Sequence, residues 1–224
     1  MTMDAAASGP SSSEGGNGSG EETLVQAGPA GPGREKFVAP SLRSRHVYLR
    51  PLTAQDYPHL QGAEMGTELM FRWRLRGATP SPEQWVQMVW HQVLAQFMVV
   101  GQVRNKPLGL VSVYRANFQD GYAYLSAARL EPRKPSPLMT LGVSLFVDYV
   151  FACWDFRKLY MEVPEFNLPQ FASGLGRYFE LEGRLRDHFY FDGRYWDQLT
   201  LAIYREVLQR EGLRLDRGRR SAIA

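Results

Sequence analysis

A hairpin signal near the C-terminus is the feature that most constrains how this chain can fold. Two aromatic, β-prone runs flank Asp192-Gly193, and Asp-Gly between such runs is typical of a tight turn that joins antiparallel strands. The almost wholly apolar segment from Val143 to Trp154 and a short strand pattern from Lys158 to Val163 precede it. A buried helix, a strand and a hairpin in this order predict a mixed α/β domain.

The composition favours one folded domain with a tail at each end. The chain has 224 residues, of which 44% are hydrophobic and 12% aromatic, enough for a sizeable core. Residues 1–40 are rich in Gly, Ser, Ala and Pro, so they bury too little apolar surface to offset the entropy of ordering. We therefore expect a disordered tail over 1–40, a folded domain over 41–210 and a basic tail over 211–224.

Charge, cysteine content and hydropathy narrow the class of protein. Residues 1–40 carry a net charge of −3 and the rest of the chain about +6, an excess that can attract an anionic coenzyme. Glu211 and Asp216 interrupt the late arginines, which disfavours nucleic acid as a partner. The single cysteine, Cys153, excludes an internal disulfide and suits the cytoplasm, and we expect its side chain to be buried. No segment is long and apolar enough to span a membrane, and the N-terminus lacks a signal-peptide pattern.

Local patterns order the predicted elements as β-α-α-β-β-β-α-β-α-β-β. Ser81, Pro82 and Gln84 mark a helix start, because a capping residue is followed by proline at the first helical position and by glutamine three residues after the cap. The predicted strands are 46–52, 96–102, 107–114, 121–130, 158–163 and the two arms of the hairpin, and the predicted helices are 54–64, 81–94, 137–154 and 169–179.

This order resembles the GCN5-related N-acetyltransferase (GNAT) superfamily, and it is most similar to the branch of the ribosomal-protein N-terminal acetyltransferases. The likeness covers about residues 46–208 and is most specific in 182–186 and 192–197. Asn167 and Phe179 also keep the family's spacing. The resemblance implies a single domain with a central, mostly antiparallel, twisted sheet of six to seven strands flanked by helices. It implies an N-acyltransferase that moves an acetyl or other acyl group from acyl-CoA to a primary amine of a protein or small molecule, without a metal.

The resemblance also implies where acyl-CoA would bind, although its pyrophosphate loop is altered here. The implied coenzyme-binding residues are Leu130, Arg133, Lys134, Ser136, Thr140, Leu141, Gly142, Asn167 and Gln170. The family's spaced glycines are missing before Gly142, and Pro135 and Pro137 each remove a backbone donor. Either Arg133 and Lys134 compensate for these donors, or the site has decayed or accepts another acyl carrier, such as a carrier protein.

The candidate catalytic residues are Tyr124, Ser126, Tyr178 and Glu162. The tyrosine that protonates the leaving thiolate in many relatives corresponds to Leu175, and Tyr178 is the nearest alternative. Tyr122, Tyr124 and Ser126 alternate along one strand, so they share a face that either lines an acceptor site or is simply polar. Glu162 is either a base or a surface carboxylate paired with Arg157 or Lys158. The histidines show no metal-ligand spacing.

The loop from Arg72 to Gly77 lies where relatives bind the acceptor. Its arginines favour an acidic or carboxylate-bearing acceptor, the alternative being a solvated loop with Trp73 packed inward. Two other functions stay open: a non-catalytic binding module on the same fold, and an acyltransferase that uses a longer or carrier-protein-bound donor. A homodimer also stays open.

Overall fold

The computed structural model describes residues 40–66, 69–131 and 136–211. Seven strands, five α-helices and four short 3-10 helices make up this part of the chain. The strands are β1 (Val47–Pro51), β2 (Val93–Gly101), β3 (Lys106–Asn117), β4 (Tyr122–Arg129), β5 (Lys158–Pro164), β6 (Glu180–Phe191) and β7 (Arg194–Tyr204). The helices are α1 (Tyr57–Met65), α2 (Leu69–Arg72), α3 (Pro82–Trp90), α4 (Pro137–Cys153) and α5 (Arg205–Glu211). The predicted tails lie almost entirely outside the described residues, so their boundaries stay a prediction.

One seven-stranded sheet carries the fold, in the order β1-β2-β3-β4-β5-β7-β6. Every neighbouring pair is antiparallel except β4 and β5, which are parallel. A parallel pair needs a long crossover, and α4 supplies it. The predicted fold class, a mixed α/β domain around a mostly antiparallel sheet, is confirmed.

Helices cover the two faces of the sheet unequally. Alternate residues of β2 and β3, such as Phe97, Val99 and Val111, pack with α4 and with β5 and β7 in the larger core. The intervening residues, such as Met98 and Leu110, pack beneath α1 to α3 in a smaller core. Side chains alternate along a strand. The polar residues further along β3 on this second face therefore lie toward the half of the sheet that α1 to α3 leave uncovered.

Helix α4 is held by a cap at its start and by close packing in its middle. Ser136 is the N-cap, and its Oγ accepts a hydrogen bond from the Met139 N–H at 3.2 Å. A Cβ added to Gly142 would overlap the Val99 side chain, so glycine lets the helix approach β2 closely. The helix ends at Cys153, one residue before the predicted end.

Two of the predicted helices differ from those in the structure, for local reasons. The capping box at Ser81 and Gln84 forms as predicted, but α3 ends at Trp90 because the chain enters β2 at Val93. The predicted helix over 169–179 does not form. Two short 3-10 helices, Glu165–Gln170 and Ala172–Gly174, replace it, and the chain does not continue as a helix to Phe179 because Gly176 has a positive φ of 76°.

The prediction that Cys153 is buried is also wrong, because its side chain is exposed at the last position of α4. The buried face of this helix is already occupied by residues such as Phe146, Val147 and Val150. Within the described ranges, no helix is long and apolar enough to cross a membrane, and no three His, Cys, Asp or Glu side chains come together as a metal site would require.

Candidate active site

The two parallel strands separate near the middle of the sheet. β4 and β5 pair over only three residue pairs, from Tyr122 with Lys158 to Tyr124 with Tyr160. Beyond that point a cleft of about 1320 Å³ opens between them. It is lined by the end of β4, by Met161 to Pro164 of β5, by α4 and by the 3-10 segments that follow β5. A cleft of this size can hold a sizeable ligand.

The strand edge beside the gap presents a backbone donor. The Leu130 N–H donates to the Leu108 carbonyl at 3.0 Å. In the antiparallel register of β3 and β4, the N–H groups of Ala128 and Ser126 point toward β3 in the same way. Because successive backbone groups of a strand point to opposite sides, the Ala127 N–H faces the gap instead. Leu130 N–H is thus engaged within the sheet, and Ala127 lines the cleft.

A chain of polar side chains crosses the gap. Arg129 Nη2 donates to Gln170 Oε1 at 3.0 Å, and Gln170 Nε2 donates to Asn167 Oδ1 at 3.2 Å. The structure therefore brings together Asn167 and Gln170, both predicted from the resemblance, and adds Arg129. Arg129 was not predicted, because its contact with Gln170 joins segments that are distant in the sequence.

Helix α4 contributes a second polar wall. Ser136, Thr140 and Ser144 line the cleft at the four-residue spacing that puts side chains on one helical face. The first turn has few free donors, because Pro137 has no N–H and the Met139 and Thr140 N–H groups both bond to Ser136. Leu141 and Gly142 pack inward rather than line the cleft, and Arg133 and Lys134 lie outside the described residues.

The segment after β5 closes the cleft with aromatic rings. Phe171 and Phe179 pack edge to face with ring centroids 5.8 Å apart, and Tyr178 lines the cleft beside them. A Cβ on Gly174 would lie 2.6 Å from the Phe179 ring, so glycine is required for this packing. Leu175 is exposed and is not among the lining residues.

Hydroxyl groups line the far end of the cleft, on the sheet face that α1 to α3 partly cover. The Oγ atoms of Ser112 and Ser126 lie 2.7 Å apart. Burial, reinforced by Glu162, raises the pKa of Tyr114 to about 12. Tyr124 shares the predicted face but does not line the cleft; its ring packs 5.8 Å from that of Tyr114. Tyr114 was not predicted, because its position depends on the register between β3 and β4.

Charged side chains surround this far end. Glu162 pairs with Arg115 at 3.5 Å. The alternative prediction, a surface carboxylate paired with Arg157 or Lys158, is therefore wrong about the partner. Lys158 instead pairs with Glu182 at 2.8 Å. Two arginines of the predicted acceptor loop have different surroundings. The Arg74 guanidinium is buried 3.7 Å from Glu64, whereas Arg76 is exposed over the Phe189 ring. Trp73 is half-buried and lines the cleft.

This arrangement can hold an extended ligand along the gap, with an anionic part near Arg129 and a reacting group near the Ala127 N–H. The neutral Tyr114 hydroxyl and the Glu162 carboxylate line the far end of the cleft, where a second molecule can enter. These groups together are suited to transferring a group between two ligands.

Comparison with solved structures finds this architecture among acetyltransferases. The spermidine N-acetyltransferase from Vibrio cholerae, in complex with CoA and spermine, is 19% identical and aligns over 73% of this chain and 98% of its own, with a TM-score of 0.61. A probable GNAT-family acetyltransferase from Chromobacterium violaceum is 18% identical over 84% of this chain and 96% of its own, with a TM-score of 0.60. RimL, a ribosomal-protein α-N-acetyltransferase in complex with CoA, is 19% identical over 72% and 95%, also with a TM-score of 0.60. No protein-family model and no curated protein matches the chain. The chain therefore has the fold of the GCN5-related N-acetyltransferases.

Proposed function

We propose that this protein is an N-acyltransferase that moves an acetyl or other acyl group from an acyl-CoA thioester to a primary amine. The observation that carries the proposal is the gap between β4 and β5, which combines the Ala127 N–H with the polar chain from Arg129 to Asn167. Solved structures of the same fold contain CoA, which supports acyl-CoA as the donor.

The donor lies along the gap in this proposal. The Ala127 N–H donates to the thioester carbonyl and stabilises the negative charge that develops on its oxygen. Arg129, with Gln170 and Asn167 behind it, supplies a positive charge and amide groups for the anionic part of the coenzyme. Ser136, Thr140, Arg133 and Lys134 complete the phosphate site, because the self-capped start of α4 has few backbone donors left. We assign Leu141 and Gly142 a packing role.

The acceptor enters from the far end. Its amine attacks the thioester carbonyl carbon, the carbon–sulfur bond breaks, and the thiolate takes a proton. Tyr178 is the proton donor we propose, since it is a phenol, more acidic than the serine and threonine hydroxyls, and it lines the cleft beside Phe179. Ser126, bonded to Ser112, positions the amine, and Tyr124 supports this face from behind Tyr114. Glu162 takes the amine's proton, because it is the only carboxylate among the described residues that line the cleft.

Titration with acetyl-CoA and with CoA by calorimetry tests donor binding, and thiol release with a panel of amines tests turnover. We expect micromolar binding, and we expect Tyr178→Phe and Glu162→Gln each to lower kcat by about a hundredfold. Glu206→Gln, at an exposed position of α5, is the matched control and should leave kcat unchanged. Absence of both binding and turnover in folded protein would refute the proposal.

A second function has a specific observation in its favour. Leu175 occupies the position of the family's thiolate acid and provides no proton, which favours a non-catalytic binding module. Binding of CoA without turnover of any amine would support this function instead. Tighter binding or faster turnover along a series of longer acyl-CoA donors, or with acyl carrier protein, would support a different donor.

We place the enzyme in the cytoplasm, because a single cysteine suits a reducing compartment. Its acceptor is a small-molecule amine or a protein N-terminus rather than a nucleic acid. The homodimer stays a prediction, which sedimentation of the purified chain tests.

A further inference from the structure

We infer that the acceptor is an amine that also carries a carboxylate, and that Arg76 recognises this carboxylate. The inference rests on the proposed function, because it concerns the amine that enters the far end of the same cleft. It follows from the placement and the charge balance of three arginines that line this end.

Arg76 is directed over the cleft by an unusual backbone. Its φ is 52°, and that of the following Gly77 is 87°. Positive φ is uncommon for a residue with a side chain and costs free energy. Two backbone hydrogen bonds hold the reversal in place, from the Gly77 N–H to Met70 O and from the Ala78 N–H to Leu75 O, each at 2.9 Å. The reversal carries the guanidinium to 3.6 Å from the centre of the Phe189 ring on β6.

Within the described residues, no carboxylate serves the Arg76 guanidinium alone. It forms no ion pair with any carboxylate in the described part of the chain, and it lines the cleft while remaining exposed. Partial burial lowers the pKa of Arg76, and the charge of Glu162 opposes this effect. A cation that is partly desolvated on an aromatic ring, and still accessible, is well placed to bind an incoming anion.

The neighbouring charges leave this end positive. Glu162 contacts Arg115 at 3.5 Å and also interacts electrostatically with Arg76. One carboxylate and two guanidinium groups together carry a net charge of +1. Arg74 adds nothing, because Glu64 neutralises it in the interior. Arg76 is therefore the guanidinium left for an acceptor.

This charge balance selects among amines. A carboxylate close to the reacting amine would approach Arg76 as the amine approaches Glu162, so both charges would be matched. A polyamine such as spermine, which occupies the Vibrio cholerae structure, would place additional positive charge beside Arg76 and Arg115. Like charges brought together in this way disfavour the wrong partner.

The test compares matched acceptors on the full-length protein. Acetylation rates are measured for an aspartyl-alanyl peptide amide, its asparaginyl counterpart, free aspartate and spermidine. We expect kcat/KM for the aspartyl peptide to exceed that for the asparaginyl peptide by about fivefold or more at low salt, and the ratio to shrink as salt is added. Free aspartate and the peptide distinguish a small-molecule acceptor from a polypeptide N-terminus.

Substitution at Arg76 supplies the decisive comparison. Arg76→Gln should bring the ratio close to one, mainly by lowering kcat/KM for the aspartyl peptide, and Arg76→Lys should keep part of the preference. Arg45→Gln, at an exposed position of the chain entering β1, is the control and should keep the full preference. Equal rates for the two peptides in the wild-type protein, or a ratio that survives Arg76→Gln, would overturn the inference.

A direct binding measurement separates this inference from the proposed function. If no amine is acetylated, calorimetry with the same two peptides still shows whether the wild-type protein binds the aspartyl peptide more tightly and whether Arg76→Gln removes the difference. Turnover with equal rates for the two peptides would support the proposed acyltransferase and contradict the carboxylate-binding role of Arg76. Charge-dependent binding without turnover rejects the enzyme and keeps the carboxylate subsite.

Discussion

The Arg129 guanidinium donates a hydrogen bond to the Gln170 side-chain carbonyl across the gap between β4 and the segment that follows β5, with 3.0 Å between the two atoms. The two residues are 41 positions apart in the chain. Their contact joins the end of β4 to the segment after β5, where the backbone ladder between β4 and β5 has ended.

Replacing Arg129 by Gln should weaken CoA binding by about tenfold or more, because a charge-assisted contact to phosphate is lost. The salt dependence of the CoA affinity should also become shallower. Calorimetry at two salt concentrations measures both effects, with Arg45→Gln as the control. An unchanged affinity would show that the coenzyme does not use this side chain.

Replacing Gly142 by Ala should destabilise the protein by about 1–3 kcal/mol, because the new methyl group overlaps Val99 where α4 approaches β2. Val99→Ala in the same chain should restore part of the loss. Gly62→Ala is the matched control: this glycine lies within α1, and a Cβ there meets nothing within 4 Å, so stability should rise. Urea denaturation measures all four proteins. A loss of CoA affinity without a loss of stability would return Gly142 to the coenzyme site.

Asp56 should make stability depend on pH. Arg50 donates to both of its carboxylate oxygens, at 2.6 and 2.7 Å, and the Thr53 N–H donates to one of them at 2.9 Å. The Arg50 contacts, aided by Thr53, hold the pKa of Asp56 well below its usual range. The folded state therefore binds this proton less readily than the unfolded state does. The stabilisation is complete above the unfolded pKa of about 3.9 and is lost as the pH falls toward the folded value.

Asp56→Asn should accordingly cost about 1–3 kcal/mol at pH 7, and the gap between wild type and variant should narrow below about pH 4. Denaturant unfolding at a series of pH values measures it. A difference that stays constant down to pH 2 would contradict the assignment.

Gln96 should be a site where the protein can be stabilised. Its side chain is 4% exposed, and neither of its amide atoms has a hydrogen-bond partner among the described residues. A buried amide without partners costs about 1–3 kcal/mol, so Gln96→Met, which keeps the shape of the side chain, should raise the free energy of unfolding. Thermal and chemical denaturation test this, and a loss of stability would indicate that ordered water satisfies the amide.

The sequence was most informative where neighbouring residues determine the structure. Asp192-Gly193, the Ser81 cap and the apolar run of α4 each act locally, and the structure contains the tight turn, the helix start and the helix that they predict, although α3 is shorter than predicted. The helix expected over 169–179 did not form, because Gly176 adopts a positive φ that interrupts a helix before Phe179. Cys153 was misjudged because the apolar character of a segment does not say which side of its helix faces solvent.

The candidate site was less accessible to prediction, since most of its contacts join distant segments. Asn167 and Gln170 were found through family spacing, whereas Arg129 and Tyr114 enter the cleft through strand register. The stacking of Arg76 on Phe189 joins a loop near the start of the domain to the C-terminal hairpin. No pattern within either segment indicates the other.

The early separation of β4 and β5 divides the sheet mechanically. Four strands lie on one side of the seam and three on the other, and only three residue pairs hold them edge to edge. Helix α4 packs on β1, β2 and β3, and the core that it forms with Val99 and Val111 continues to Leu159 and Leu201 on the other side of the seam. The helix thus acts as a brace that sets the width of the opening, and a substitution on its buried face can alter the opening without touching any residue that lines it.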